Sequence, residues 1–128
     1  MVIAIDFDGT CVTHEFPRLG KDIGAVPVLK ELVNNGHQLI LFTMRSEKYL
    51  TDAVNWFKKN EIPLYGIQTN PTQSRWTKSP KAYAELYIDD AALGCPLLID
   101  AGIENSGRPY VDWKVVREIL INGKIITA

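Results

Sequence analysis

The sequence predicts a three-layer, doubly wound α/β domain built on a parallel β-sheet. Three observations lead there. Short apolar runs alternate along the chain with segments of helical periodicity. Those runs are continuous rather than alternating, as in strands buried on both faces. The chain has 128 residues, 46% of them hydrophobic, which suits one compact domain with a real core.

The elements follow in order. Val2 to Ile5 is a β-rich run that ends at Asp6. Ala25, Val28, Leu29, Leu32 and Val33 recur at helical spacing, and Gly36 suits a helix stop. Leu39 to Phe42 is the second continuous apolar run, ending at Thr43. Leu50, Ala53, Val54 and Phe57 mark a second helix, closed before Pro63. Tyr65 to Thr69 reads as a third strand, Glu85 to Ile88 as a fourth and Pro96 to Ile99 as a fifth. Asn70 to Pro80 is polar and proline-containing, and reads as a loop. Asp112 is an N-cap for a last helix carrying Trp113, Val116, Ile119 and Leu120, closed by Asn122-Gly123.

Composition removes several function classes. Fourteen basic against fifteen acidic residues leave a net charge of -1, so no basic field favours nucleic acid. No apolar run approaches the ~18 residues a membrane span needs. The opening residues lack a basic leader, and Cys11 and Cys95 match neither a disulfide framework nor a zinc site. A cytoplasmic single domain spanning residues 1–128, with reduced thiols, is the expectation.

In a parallel sheet, ligands bind outside the carboxyl ends of the strands. Here those ends carry Asp6, Thr43, Thr69 and Asp89, with Asp8 and Asp90 close by. Two like charges about 4 Å apart repel by roughly 4 kcal/mol at an effective dielectric of about 20. The converging carboxylates Asp6, Asp8, Asp89 and Asp90 therefore call for a cation. Hard oxygen ligands favour Mg²⁺, which commonly binds carboxylates together with a substrate phosphate.

These residues also carry a family resemblance. Val2-Ile3-Ala4-Ile5-Asp6-Phe7-Asp8-Gly9-Thr10 resembles the first motif of the haloacid dehalogenase superfamily, an apolar strand followed by D-x-D-G-T. Leu39 to Thr43 is similar to the second motif, a strand ending in a hydroxyl residue. Lys81, eight residues before Asp89, is similar to the third, and Leu86-Tyr87-Ile88-Asp89-Asp90 to the fourth. The resemblance covers about the first hundred residues, with the motifs in order on the expected strand ends.

The resemblance implies a Mg²⁺-dependent phosphatase of this Rossmann-like fold. Asp6 would attack phosphorus, giving an aspartyl-phosphate. Asp8 would protonate the leaving oxygen and then activate water. Gly9 and Thr10 would turn the backbone beside the phosphate, while Thr43 and Lys81 would meet its charged oxygens. Asp6, the Asp8 carbonyl and Asp89 would hold the metal, and Asp90 would ligate through water or orient Lys81. Arg45 is a second candidate for the phosphate or substrate, with a solvated surface position as its alternative. Lys78 competes with Lys81 for the lysine role, and Pro80 favours a helical turn that brings Lys81 back towards Asp6.

His14 and His37 read as structural or surface residues, with substrate contact an option for His14. Trp76 and Arg75 either rim the site or fix the loop, and Cys11 has no activating partner. The short Thr10 to Asp22 segment and the strand-plus-loop between Phe57 and Lys81 leave no room for an inserted cap domain. A large phosphorylated substrate, or a second copy of the chain supplying a lid, suits so open a site. Two other function classes compete: a phospho-acceptor module and a non-hydrolytic binding protein. Receiver domains place their acid pair on the first strand and a lone acceptor Asp on the third, unlike this order.

Overall fold

The computed structural model describes residues 1–99 and 106–127. Strands β1 (Val2–Ile5), β2 (Gln38–Leu41), β3 (Gly66–Ile67) and β4 (Leu86–Ile88) form one parallel sheet in the order β3-β2-β1-β4. Helices α1 (Ala25–Asn34) and α2 (Glu47–Lys59) make the first two crossovers, and α3 (Trp113–Asn122) follows the sheet. No helix among the described residues is long and apolar enough to cross a membrane.

Local chemistry sets the boundaries. Gly36 ends α1 with φ +85, a conformation a side chain resists. Lys58 and Lys59 sit in the last turn of α2, where cations meet the negative end of the helix dipole. Asp112 caps α3 as expected, its carboxylate accepting from the Val115 N–H at 3.3 Å.

The two faces of the sheet are covered differently. Ile3 and Ile5 pair with Leu39 and Leu41 on one side and with Leu86 and Ile88 on the other, so these side chains share a face. Ile3, Ile5, Leu39, Leu41 and Ile88 join Leu29 of α1, Phe57 of α2 and Leu120 of α3 in one buried cluster. Right-handed crossovers explain why α1 and α2 share a side, since β1 to β2 to β3 runs in one direction. The β3-to-β4 connection runs back past β1 and must cross the opposite face. There Ala4, Ile40 and Tyr87 stand in register.

That second layer differs from the helical one a doubly wound sheet predicts. Between β3 and β4 the described chain holds only a 3₁₀ turn at Gln73–Arg75. Polar bonds help to pin it. Tyr87 Oη donates to the Ala82 carbonyl at 2.6 Å, and Gln73 Oε1 accepts from the Tyr83 N–H at 2.6 Å.

The predicted fifth strand also departs from expectation. Leu97–Leu98 (β5) pairs antiparallel with Tyr110–Val111 (β6), apart from the main sheet. This ladder is tied to the first motif by the Val111 N–H, which donates to the Gly9 carbonyl at 2.9 Å.

Candidate active site

The parallel register brings the acids together. Ile5 pairs with Ile88, so Asp6 and Asp89, each one residue further on, emerge side by side. The Asp6 N–H extends that ladder, donating to the Ile88 carbonyl at 3.0 Å. Phe42 extends the ladder on the other side, its N–H reaching the Ile5 carbonyl at 2.8 Å, which sets Thr43 beside the same ends.

Asp6, Thr43, Asp89 and Asp90 line one cavity of about 410 Å³, together with Asp8, His14, Phe16, Arg45 and Arg108. A larger cavity of about 570 Å³ lies between α2 and β3, but its walls are chiefly apolar, from Phe57, Ile62, Leu64 and Ile67. Its size reflects a groove beside an edge strand, not a cluster of reactive groups.

The carboxylates fall into two sets. Asp6, Asp89 and Asp90 offer oxygens that all lie within 4.8 Å of one another. Thr10, fully buried, links two of them: its hydroxyl is 3.0 Å from Asp6 Oδ2 and 3.2 Å from Asp90 Oδ1. The same oxygen accepts the Asp90 N–H at 3.0 Å. Burial, the hydrogen bond to Asp90 and the charge of Asp89 push the Asp6 carboxyl up from 3.8 to about 8. Bonds from the Phe7 backbone and Thr10 offset only part of that shift. A hard divalent cation fits this donor set, because it supplies the positive charge that three crowded carboxylates lack.

Asp8 belongs to the other set. Both of its oxygens accept from Arg45, Nε at 2.8 Å and Nη2 at 2.8 Å. The Arg45 side chain is almost wholly buried, lies over the Phe7 and Phe16 rings, and also donates to the Pro17, Arg18 and Tyr49 carbonyls. It is not the solvated arginine that the sequence allowed. Its donors are committed to Asp8 and to the loop over it.

Gly9 and Thr10 support the carboxylates. Gly9 has φ +81, and a Cβ there would stand 2.5 Å from Asp90 Oδ2. Its bareness lets Asp90 approach. Thr10 orients Asp6 and Asp90, and its carbonyl accepts from the Trp113 indole at 2.7 Å.

Thr43 is at the cavity, its hydroxyl accepting the Arg45 N–H at 3.1 Å. Gln68, which the sequence reading passed over, fixes that turn: Oε1 accepts the Thr43 N–H at 2.8 Å, and Nε2 donates to the Thr43 and Arg45 carbonyls. Nothing in its sequence context marks it out.

Lys81 is not brought to the carboxylates. The helical turn expected from Pro80 does not form, and the Lys81 ammonium lies 5.3 Å from the Tyr87 ring centroid, in a cavity with Gln73 and Trp76. Lys78 and Thr69 line a further cavity together with Asn70 and Ser79. Thr69, expected at a strand end, lies two residues past the end of β3 and lines that cavity, not the carboxylate one. His37 is structural, its Nε2 lying 2.6 Å from the Ile125 carbonyl. Cys11 is buried, its thiol pushed well up by burial and then by Asp6 and Asp8, which keeps it inert.

Comparison with known proteins adds one relative. The chain is similar to the solved structure of a conserved protein from Bacteroides thetaiotaomicron. The two are 34% identical with a TM-score of 0.76, over 97% of this chain and 91% of that one. This chain belongs to that protein's family. No family model and no curated protein matches the chain. The match extends over nine-tenths of the relative's length, so the likeness is one of overall fold and not of a single segment.

Proposed function

We propose that this chain is a Mg²⁺-dependent phosphomonoester hydrolase of the haloacid dehalogenase type, acting through phosphorylation of Asp6. One observation carries the reading. The D-x-D-G-T turn and the Asp89-Asp90 pair meet on adjacent parallel strands, with the Thr43 hydroxyl beside them.

Each residue has a task in that reading. Asp6 is the nucleophile, and its carboxylate attacks phosphorus as the leaving oxygen departs. Thr10 holds Asp6 in place, and Gly9 leaves space for Asp90 beside it. Thr43 offers its hydroxyl to a phosphoryl oxygen, held there by Gln68. Asp8, held against Arg45, faces the same cavity; it gives a proton to the leaving oxygen as Asp6 attacks and takes one back from the water that hydrolyses the aspartyl-phosphate. Asp6, Asp89 and Asp90 would hold Mg²⁺, which when bound neutralises the carboxylates and the phosphoryl charge.

A second reading has its own observation. Both Asp8 oxygens are committed to a buried guanidinium, and Lys81 is away from the site. A chain that accepts or binds a phosphoryl group with slow release would look like this. Turnover of p-nitrophenyl phosphate with Mg²⁺ separates the two. Steady turnover that is lost in chelator and in Asp6→Asn supports the hydrolase. A single phosphorylation without turnover supports the acceptor, and no reaction supports a binding protein.

A further inference from the structure

The geometry points to Arg108 as the cation that receives the substrate phosphoryl group, the place the sequence pattern gives to Lys81. The inference rests on the phosphoryl-transfer reading above. A phosphoryl group passing to Asp6 carries charge on its outer oxygens, and a side-chain cation facing the cavity stabilises that charge. Among the described residues, two arginines line the carboxylate cavity, Arg45 and Arg108. Arg45 is committed: it grips both Asp8 oxygens and donates to three backbone carbonyls. Lys81 and Lys78 line other cavities. Arg108 remains, its Nη1 lying 3.4 Å from His14 Nδ1.

Its position is set by the fold. Val111, three residues on, is bonded to the Gly9 carbonyl, so the chain entering β6 runs beside the first motif. Ser106 Oγ donates to the His14 carbonyl at 2.7 Å, holding this segment against the loop that follows Thr10. His14 then steers the guanidinium at the cavity rim. The exposed side chain can turn its planar fork towards a phosphate, which it can grip through two parallel N–H donors.

The test compares Arg108→Ala, Arg108→Lys and Lys81→Ala in the full chain with Mg²⁺. Two readouts are used: p-nitrophenyl phosphate kinetics and calorimetric binding of inorganic phosphate. Arg108→Ala should lower kcat/KM by about 100-fold, as loss of one preorganised donor does. It should also weaken phosphate binding at least ~10-fold, with Arg108→Lys in between, as a point charge replaces the fork. Lys81→Ala should stay within about 3-fold on both readouts, because its ammonium faces Tyr87. Melting temperatures of the Arg108 variants should match the parent, since the exposed side chain packs against little. The reverse ranking, or phosphate binding indifferent to Arg108, overturns the assignment. If the parent neither turns over substrate nor forms a phosphoenzyme, yet binds phosphate through Arg108, the hydrolase reading fails and the anion site stands.

Discussion

The two aspartates of one D-x-D turn live in opposite electrostatic conditions. Asp6 faces Asp89 and Asp90, and its carboxyl is pushed up to about 8. Asp8, two residues on, has a buried arginine across both oxygens. Among the described residues no cation is ion-paired with the first corner's carboxylates; the second has been given one by the fold itself. The difference separates a site that waits for a cation from an ion pair that helps to hold the domain together.

The largest expected effect lies at the compensated corner. Arg45→Met removes a buried guanidinium and leaves the partly buried Asp8 without its partner, which should cost about 3 kcal/mol in urea unfolding. Asp8→Asn in that background should recover part of the loss, because the orphaned charge is gone. A loss below about 1 kcal/mol for the single variant would place the pair with surface salt bridges and break the contrast.

The uncompensated corner should show itself through pH. Asp6 is raised in the folded chain, so the folded state binds its proton more tightly than the unfolded one does. Its contribution to stability is full below about 4 and is lost as pH rises through about 8. In chelator, melting temperature should fall across that window. Asp6→Asn should flatten the fall, and millimolar Mg²⁺ should reverse it by binding the folded site alone. A parent protein whose melting temperature ignores both pH and Mg²⁺ would contradict the waiting site.

Smaller effects sharpen the same corner. Gly9→Ala must strain a backbone at φ +81 and displace Asp90, at about 1–3 kcal/mol. Differential scanning calorimetry with and without Mg²⁺ should show loss of both stability and metal response. Thr10→Val keeps the shape but removes the hydroxyl shared by Asp6 and Asp90, at about 1 kcal/mol. A Gly9→Ala variant as stable as the parent would mean that Asp90 has room to move aside.

What was legible in the sequence is what depends on local patterning. Continuous apolar runs placed β1, β2 and β4 correctly, and a strand's carboxyl end follows directly from its last apolar residue. The pattern alone therefore puts Asp6, Thr43 and Asp89 at the carboxyl ends of the strands. Asp112 was legible as a cap because it accepts from its own helix, three residues on.

What was not legible depends on long-range closure. Arg45 and Asp8 are 37 residues apart, and no periodicity encodes a guanidinium folding back across that distance. β5 and β6 have two residues each, too short for a period of two to register. The segment over the Tyr87 face is held by the side chains of Gln73, Asn70 and Tyr87 bonding to backbone, which a polar loop does not announce. Lys81 likewise lines the cavity of that segment, its ammonium 5.3 Å from the Tyr87 ring centroid, a placement its spacing to Asp89 does not encode.

The most direct test of the account is where the phosphoryl group goes. The protein is incubated with p-nitrophenyl phosphate and Mg²⁺, quenched in acid, and the acyl-phosphate located by borohydride reduction and peptide mass spectrometry. The account predicts a hydroxylamine-labile phosphate on Asp6, absent in Asp6→Asn and absent in chelator. Label on Asp89 or Asp90, or steady hydrolysis by Asp6→Asn, would contradict it.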